Sequence, residues 1–166
     1  MIPRQIDDPI DLSNERLMMD YFVGWLQKLP MIGSNGKGFS YQKIPLIKKE
    51  ATPDFRLIWN GLTVGCVECK CRKRIFPDWM IGRDKLAVMY RDWHKRGFQA
   101  SIINAVKDED GNLMFVNVAR FDDLLKAQDR WVVTPAEHTT TKNHGLESRD
   151  PKDHYNLPDD CFRRIK

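Results

Sequence analysis

Two carboxylates and one ammonium stand where two short apolar runs meet. Asp54 belongs to the run Thr52 to Trp59, and Glu68 and Lys70 belong to Leu62 to Cys71, with Glu68 fourteen residues after Asp54. On a strand, side chains alternate between faces, so Glu68 and Lys70 point one way while Val67, Cys69 and Cys71 point the other. Asn60-Gly61 between the runs is a strong hairpin signal, because both positions of the favoured two-residue turn need a left-handed backbone. The hairpin folds Asp54 back beside Glu68. Two acids with one lysine suit metal-assisted hydrolysis of a phosphodiester.

The residue types follow from the chemistry. Mg²⁺, or Mn²⁺ in its place, takes hard oxygen ligands and uses one or two carboxylates while keeping several waters. Asp54 and Glu68 offer those oxygens, and the main-chain carbonyl of Cys69 lies in the right stretch to offer a third. A bound ion acidifies water and neutralises charge on phosphate oxygens. Lys70, held beside it, can orient the attacking water and stabilise the charge that develops at phosphorus. A second reading makes Glu68 and Lys70 ordinary polar residues on the wet face of a hairpin. The apolar flanks Phe55, Leu57, Ile58, Val64 and Val67 argue for a covered sheet instead.

Thr52-Pro53-Asp54-Phe55 followed by Val67-Glu68-Cys69-Lys70-Cys71-Arg72 resembles the PD-(D/E)XK nuclease superfamily, the restriction-endonuclease-like fold, over roughly residues 12 to 120. The resemblance implies an α/β fold on a mixed sheet, in the order helix, three strands, helix, strand, with an extra strand and helix. It implies that the acids and lysine sit on the second and third strands. It also implies a role for Glu15, since a glutamate on the first helix of many members helps position a water or second ion. The other reading of Glu15 is that it complements the helix dipole. Arg83 and Lys85 fall about where members carry a residue that contacts the scissile phosphate, although both also read as solvated helix positions.

The remaining elements give the expected order. Leu12 to Leu29 has an amphipathic helical period, and Pro30 with Gly33 ends it. Gly33 to Gly38 is a glycine-rich loop, and Phe39 to Ile47 reads as a first strand with Pro45 at an edge or bulge. Pro77-Asp78 opens a second helix that runs to about Arg96 and closes at Gly97. Phe98 to Val106 and Leu113 to Val118 are strands, and Phe121 to Gln128 is a closing helix. The expected nuclease domain is 1–133. Residues 134–166 are polar and without sustained period, and read as an extension that drapes over the core or orders on binding.

The chain has 166 residues, 42% of them hydrophobic, and a net charge of +4, enough for one domain with a real core and a mild basic excess. The excess is placed usefully: Arg72, Lys73 and Arg74 follow the acids, while Lys43, Lys48 and Lys49 precede them, as a phosphate-binding cleft requires. No apolar run is long enough to span a membrane, and the start Met1-Ile2-Pro3-Arg4 lacks a secretory pattern. The expected location is the cytoplasm, or the host cytoplasm for a viral protein. Cys66, Cys69 and Cys71 have spacing that invites a zinc reading, but strand parity puts Cys66 opposite the other two, so small packing thiols are the better reading.

The substrate follows from the resemblance and from size. So short a chain leaves little room for a sequence-recognition region, and a small basic member resembles the Holliday junction resolvases. That implies branched or junction DNA, a homodimer, and DNA contact from Lys37 in the Gly33–Gly38 loop. Trp131, Val132 and Val133 are candidates for the dimer interface, or for a last strand. Replication-repair or exonuclease-like members of the same fold are competing readings. A non-catalytic nucleic-acid-binding module is the reading from another class.

Overall fold

The computed structural model describes residues 9–29, 38–45, 51–75, 77–135 and 153–166. Helix α1 (Pro9–Leu26) precedes strands β1 (Phe39–Lys43), β2 (Phe55–Trp59) and β3 (Leu62–Arg72). Strand β4 (Asp78–Gly82) leads directly into α2 (Arg83–Arg96), followed by β5 (Gln99–Lys107), β6 (Leu113–Arg120) and α3 (Phe121–Lys126). Strands β7 (Val132–Thr134), β8 (His154–Pro158) and β9 (Arg163–Arg164) complete the described chain.

The main sheet has six strands in the order β1-β2-β3-β5-β6-β9. β3 and β5 are parallel, and their crossover contains α2; the other pairings are antiparallel. The fold is a mixed-sheet α/β fold in the expected order of helix, three strands, helix, strand, with β4 inserted before α2 and β6 and α3 following β5. Alternation along the strands divides the core in two. Phe55, Leu57, Val67, Cys69, Ile103 and Val118 pack with Met18, Met19 and Phe22 of α1. Cys66, Ala100, Ile102 and Ala119 pack with Leu86 and Met89 of α2, Phe121 and Leu124 of α3, and Leu157 of β8.

The β2–β3 hairpin carries the detail that positions the acids. Asn60 (φ 49°) and Gly61 (φ 80°) both take the left-handed backbone that the two-residue turn demands. Trp59 opposes Leu62 and Ile58 opposes Thr63, but Leu57 opposes Gly65, so Val64 is a bulge residue. Beyond the bulge, Phe55 opposes Val67. Continuing that register by one residue sets Asp54 against Glu68; a regular hairpin would set it against Val67. Gly65 is required where β3 meets β5, because a Cβ there would run into the Gln99 carbonyl oxygen.

Several expectations are corrected. Residues 78–82 are a strand, not the start of the second helix: Trp79 and Ile81 are buried with Met80 between them, a period of two, and β4 pairs with β8 along its length. α2 starts at Arg83 and ends as expected at Gly97, whose φ of 64° fits the left-handed cap. β1 stops at Lys43, short of Pro45. The described part of the expected extension lies on the core, the draping alternative: β8 joins β4 to β7 in a second, three-stranded sheet and β9 adds to β6. Leu157 is fully buried, and Trp79 Nε1 donates to Asp159 Oδ1 at 2.8 Å. Val132 and Val133 lie on β7, the last-strand alternative, with both side chains exposed. Lys37, Lys48 and Lys49 lie outside the described residues. No described helix is long and apolar enough to cross a membrane.

Candidate active site

Strand ends and one helix start converge on Asp54 and Glu68. Asp54 precedes β2 and is buried, its own N–H donating to the Val67 carbonyl at 3.0 Å. Its Oδ2 accepts the Cys69 N–H at 2.8 Å, which locks the carboxylate against the main chain of β3. Glu68 is at 0% exposure. One of its oxygens, Oε1, receives both Lys70 Nζ and Lys85 Nζ at 2.8 Å. The other, Oε2, is buried without a hydrogen-bond partner.

Lys85 ties the acids together. It is the third residue of α2, and its Nζ lies 2.8 Å from Glu68 and 3.6 Å from Asp54 Oδ1. On the other side, Lys43 Nζ at the end of β1 sits 2.6 Å from Glu15 Oε2 and 3.9 Å from Asp54 Oδ1, above the Phe55 ring. Three acids and three lysines therefore alternate from Glu15 through Lys43, Asp54, Lys85 and Glu68 to Lys70. Glu15 reaches the centre through Lys43. Lys43, from the basic residues ahead of the acids, and Lys85, at about the position where the resemblance implies a phosphate contact, both lie within the acid cluster. The sequence signal for Lys43 was only its place on the strand ahead of the acids; that β1 ends at Lys43 is decided by the fold.

The two acids are pushed apart in acidity. Burial works to raise Asp54, but Lys85, Lys70 and Lys43, with the Cys69 N–H, outweigh it and hold the carboxyl below its usual range. Burial, and then the Asp54 charge beside it, push Glu68 up against the pull of Lys70 and Lys85. Burial opposes the charge on Lys85, yet Glu68 and Asp54 raise it. The thiols are kept protonated by burial, Cys66 at about 12 and Cys69 well above its usual value. Cys66 and Cys69 pack into different cores on opposite faces of the sheet, as parity requires.

Among the described residues no three His, Cys, Asp or Glu side chains converge on one point. The side-chain donors are thus two carboxylates, which fits Mg²⁺ because that ion keeps most of its waters. The unpartnered Glu68 Oε2 is what such an ion would satisfy, since a buried charged oxygen without a partner is costly.

The other basic candidates divide by location. Arg72 Nη1 donates to the Asp78 carbonyl at 3.0 Å and its guanidinium stacks over Trp79 at 4.6 Å, clamping β3 to β4. Lys73 and Arg74 are exposed beyond the strand. Arg83 is exposed at the start of α2 with Asp153 at 3.6 Å. A cavity of about 510 Å³, lined by Arg16, Tyr41, Gln42, Lys43 and Phe55, opens next to Lys43. Another of about 390 Å³, lined by residues between Asp123 and Arg130 and between Asp160 and Arg163, contains neither Asp54 nor Glu68.

No protein-family model and no curated protein matches the chain. Among solved structures it is similar to Hjc, a Holliday junction resolvase from the archaeal hyperthermophile Archaeoglobus fulgidus. The identity is 14%, over 77% of this chain and 86% of that one, with a TM-score of 0.43.

Proposed function

We propose that this chain is a divalent-metal-dependent nuclease that hydrolyses phosphodiester bonds of DNA. One observation carries the reading: Asp54 and Glu68 are brought face to face by a bulged hairpin, buried, and bridged by Lys85, with Lys70 on Glu68 and one Glu68 oxygen unpartnered. A fold gains little from such a cluster, since a buried ion network seldom outperforms apolar packing. Asp54, Glu68 and the Cys69 carbonyl would hold Mg²⁺ or Mn²⁺. The bound ion supplies charge neutralisation at phosphate and an acidified water. Lys70, a third exposed, orients that water and faces the charge developing at phosphorus. Lys85 contacts the scissile phosphate from the start of α2, and Lys43 with Glu15 fixes Asp54 from the opposite side. Lys73, Arg74 and Arg83 hold the DNA backbone.

The finer reading is a structure-specific endonuclease acting on branched DNA as a homodimer. It is supported by the basic flanks of the site and the resemblance of the Asp54 and Glu68-Cys69-Lys70 motifs. Among the described residues β7 is an edge strand, and its exposed Val132 and Val133 offer a surface for a second copy. The test is incubation with labelled single-stranded, duplex, flap and four-way DNAs with Mg²⁺ or Mn²⁺, using wild type, Asp54→Asn and Glu68→Gln. Paired cuts in four-way DNA by wild type, lost in both variants while DNA binding persists, are the expected result. Full cleavage by Asp54→Asn overturns the assignment. Degradation from an end by a monomer replaces the junction reading with an exonuclease-like one.

A further inference from the structure

A row of polar side chains crosses the sheet from Lys70, and the chemistry above leaves most of it unused. The register sets Lys70 of β3 beside Asn104 of β5, Asn104 beside Asn117 of β6, and Asn117 beside Arg164 of β9. Residues paired in register share a face, so all four stand on the face that carries Glu68. Arg164 Nε donates to Asn117 Oδ1 at 3.4 Å. Asn104 is fully buried, and neither its Oδ1 nor its Nδ2 has a hydrogen-bond partner.

A buried amide with both ends unsatisfied is a cost that the neighbouring positions avoid. Ile102 and Val106, next along the same face of β5, are buried hydrophobes. A similar residue at 104 would pack without stranding a donor and an acceptor, so the amide answers a need other than packing. The register partner of Asn104 on β3 is Lys70, a cation. It shares Glu68 Oε1 with Lys85, and Lys85 also reaches Asp54. A divalent ion on Glu68 repels both ammoniums, and of the two Lys70 contacts one acid where Lys85 contacts both. Adjacent strands lie about 4.8 Å apart, within reach of the flexible lysine stem.

We propose that Asn104 is a positioning residue for Lys70. With a divalent cation on Glu68, Lys70 Nζ exchanges Glu68 Oε1 for Asn104 Oδ1, and Asn104 Nδ2 donates to Asn117 Oδ1, which Arg164 already holds. Lys70 then stays oriented beside the site instead of swinging into solvent. The inference rests on the metal-dependent nuclease reading and adds the groups that set its lysine.

The test is Mg²⁺ titration by calorimetry without DNA, together with single-turnover cleavage, on wild type, Asn104→Leu and Asn104→Ser, each also in a Lys70→Ala background. Asn104→Leu should melt no lower than wild type, because it removes the stranded amide. Its Mg²⁺ Kd should rise roughly tenfold, as expected for one lost charge-assisted hydrogen bond. Its cleavage rate should fall by a similar factor at unchanged DNA affinity. Asn104→Ser, which keeps an acceptor, should recover most of both. In the Lys70→Ala background the Asn104→Leu effects should vanish. Equal Mg²⁺ affinity in wild type and Asn104→Leu, or an effect that persists without Lys70, overturns the inference and leaves the nuclease reading standing. A wild type that binds no Mg²⁺ overturns both.

Discussion

Replacing Lys85 by methionine removes the one charge that touches both acids while keeping an unbranched stem. The 2.8 Å contact to Glu68 and the 3.6 Å contact to Asp54 carry roughly 6 and 5 kcal/mol of gross attraction at an effective dielectric of about 20. Relief of burying the ammonium returns most of that, and breaking one partner from a buried pair costs about 3–5 kcal/mol net. Lys85 keeps 23% of its side chain exposed, and Lys70 remains on Glu68, so the low end, about 3 kcal/mol, is the expectation. For a chain of this length that is a fall in Tm of about 6–12 °C. A divalent ion at the same carboxylates restores the missing positive charge, so about 10 mM Mg²⁺ should raise Tm more in the variant than in wild type. Urea and thermal unfolding, with and without Mg²⁺, measure both effects. A loss below about 1 kcal/mol, the range of a surface pair, together with an unchanged response to Mg²⁺, refutes the bridging role assigned to Lys85.

Lys70→Ala should slow cleavage far more than Lys73→Ala, whereas Lys73→Ala should weaken DNA binding and lower its salt slope by about one; equal catalytic losses at unchanged binding contradict the strand-face argument. Cleavage should fall on acidification with a midpoint above the ordinary glutamate value of 4.5, because burial and Asp54 raise Glu68. For stability, the unfolded chain releases the Glu68 proton first, so between the unfolded and folded values the native state holds more protons and stability drops as pH rises. The stability of Glu68→Gln relative to wild type should accordingly grow from pH 4.5 upward in denaturant titrations, and a flat difference would count against the raised acid. Gly65→Ala should destabilise by about 1–3 kcal/mol, since its Cβ meets the backbone oxygen of Gln99 and the parallel β3–β5 pairing must open; unchanged unfolding would show that the strands are not so close.

Local rules decided a good part of this protein. Asn60-Gly61 can hardly be anything but a tight hairpin turn, and the alternation beyond it set Glu68 with Lys70 and separated Cys66 from Cys69. The apolar period of α1 and the glycine stop of α2 are equally local, because each is written in a few consecutive residues. Other features depend on partners far along the chain. Trp79-Met80-Ile81 carries both a helical and a strand reading, and β8, more than seventy residues later, chooses the strand by pairing with it. The polar tail gave no period because β8 and β9 are short and held by strands already present. The bulge at Val64, which turns Asp54 toward Glu68, leaves no clear mark in composition. Lys43 and Lys85 come from two elements on opposite sides of the acids, and only packing brings their charges within reach of Asp54. Sequence thus singled out two acids and a lysine on neighbouring strands. Tertiary structure decided which charges surround them, because electrostatic neighbours are set by distance in space rather than along the chain.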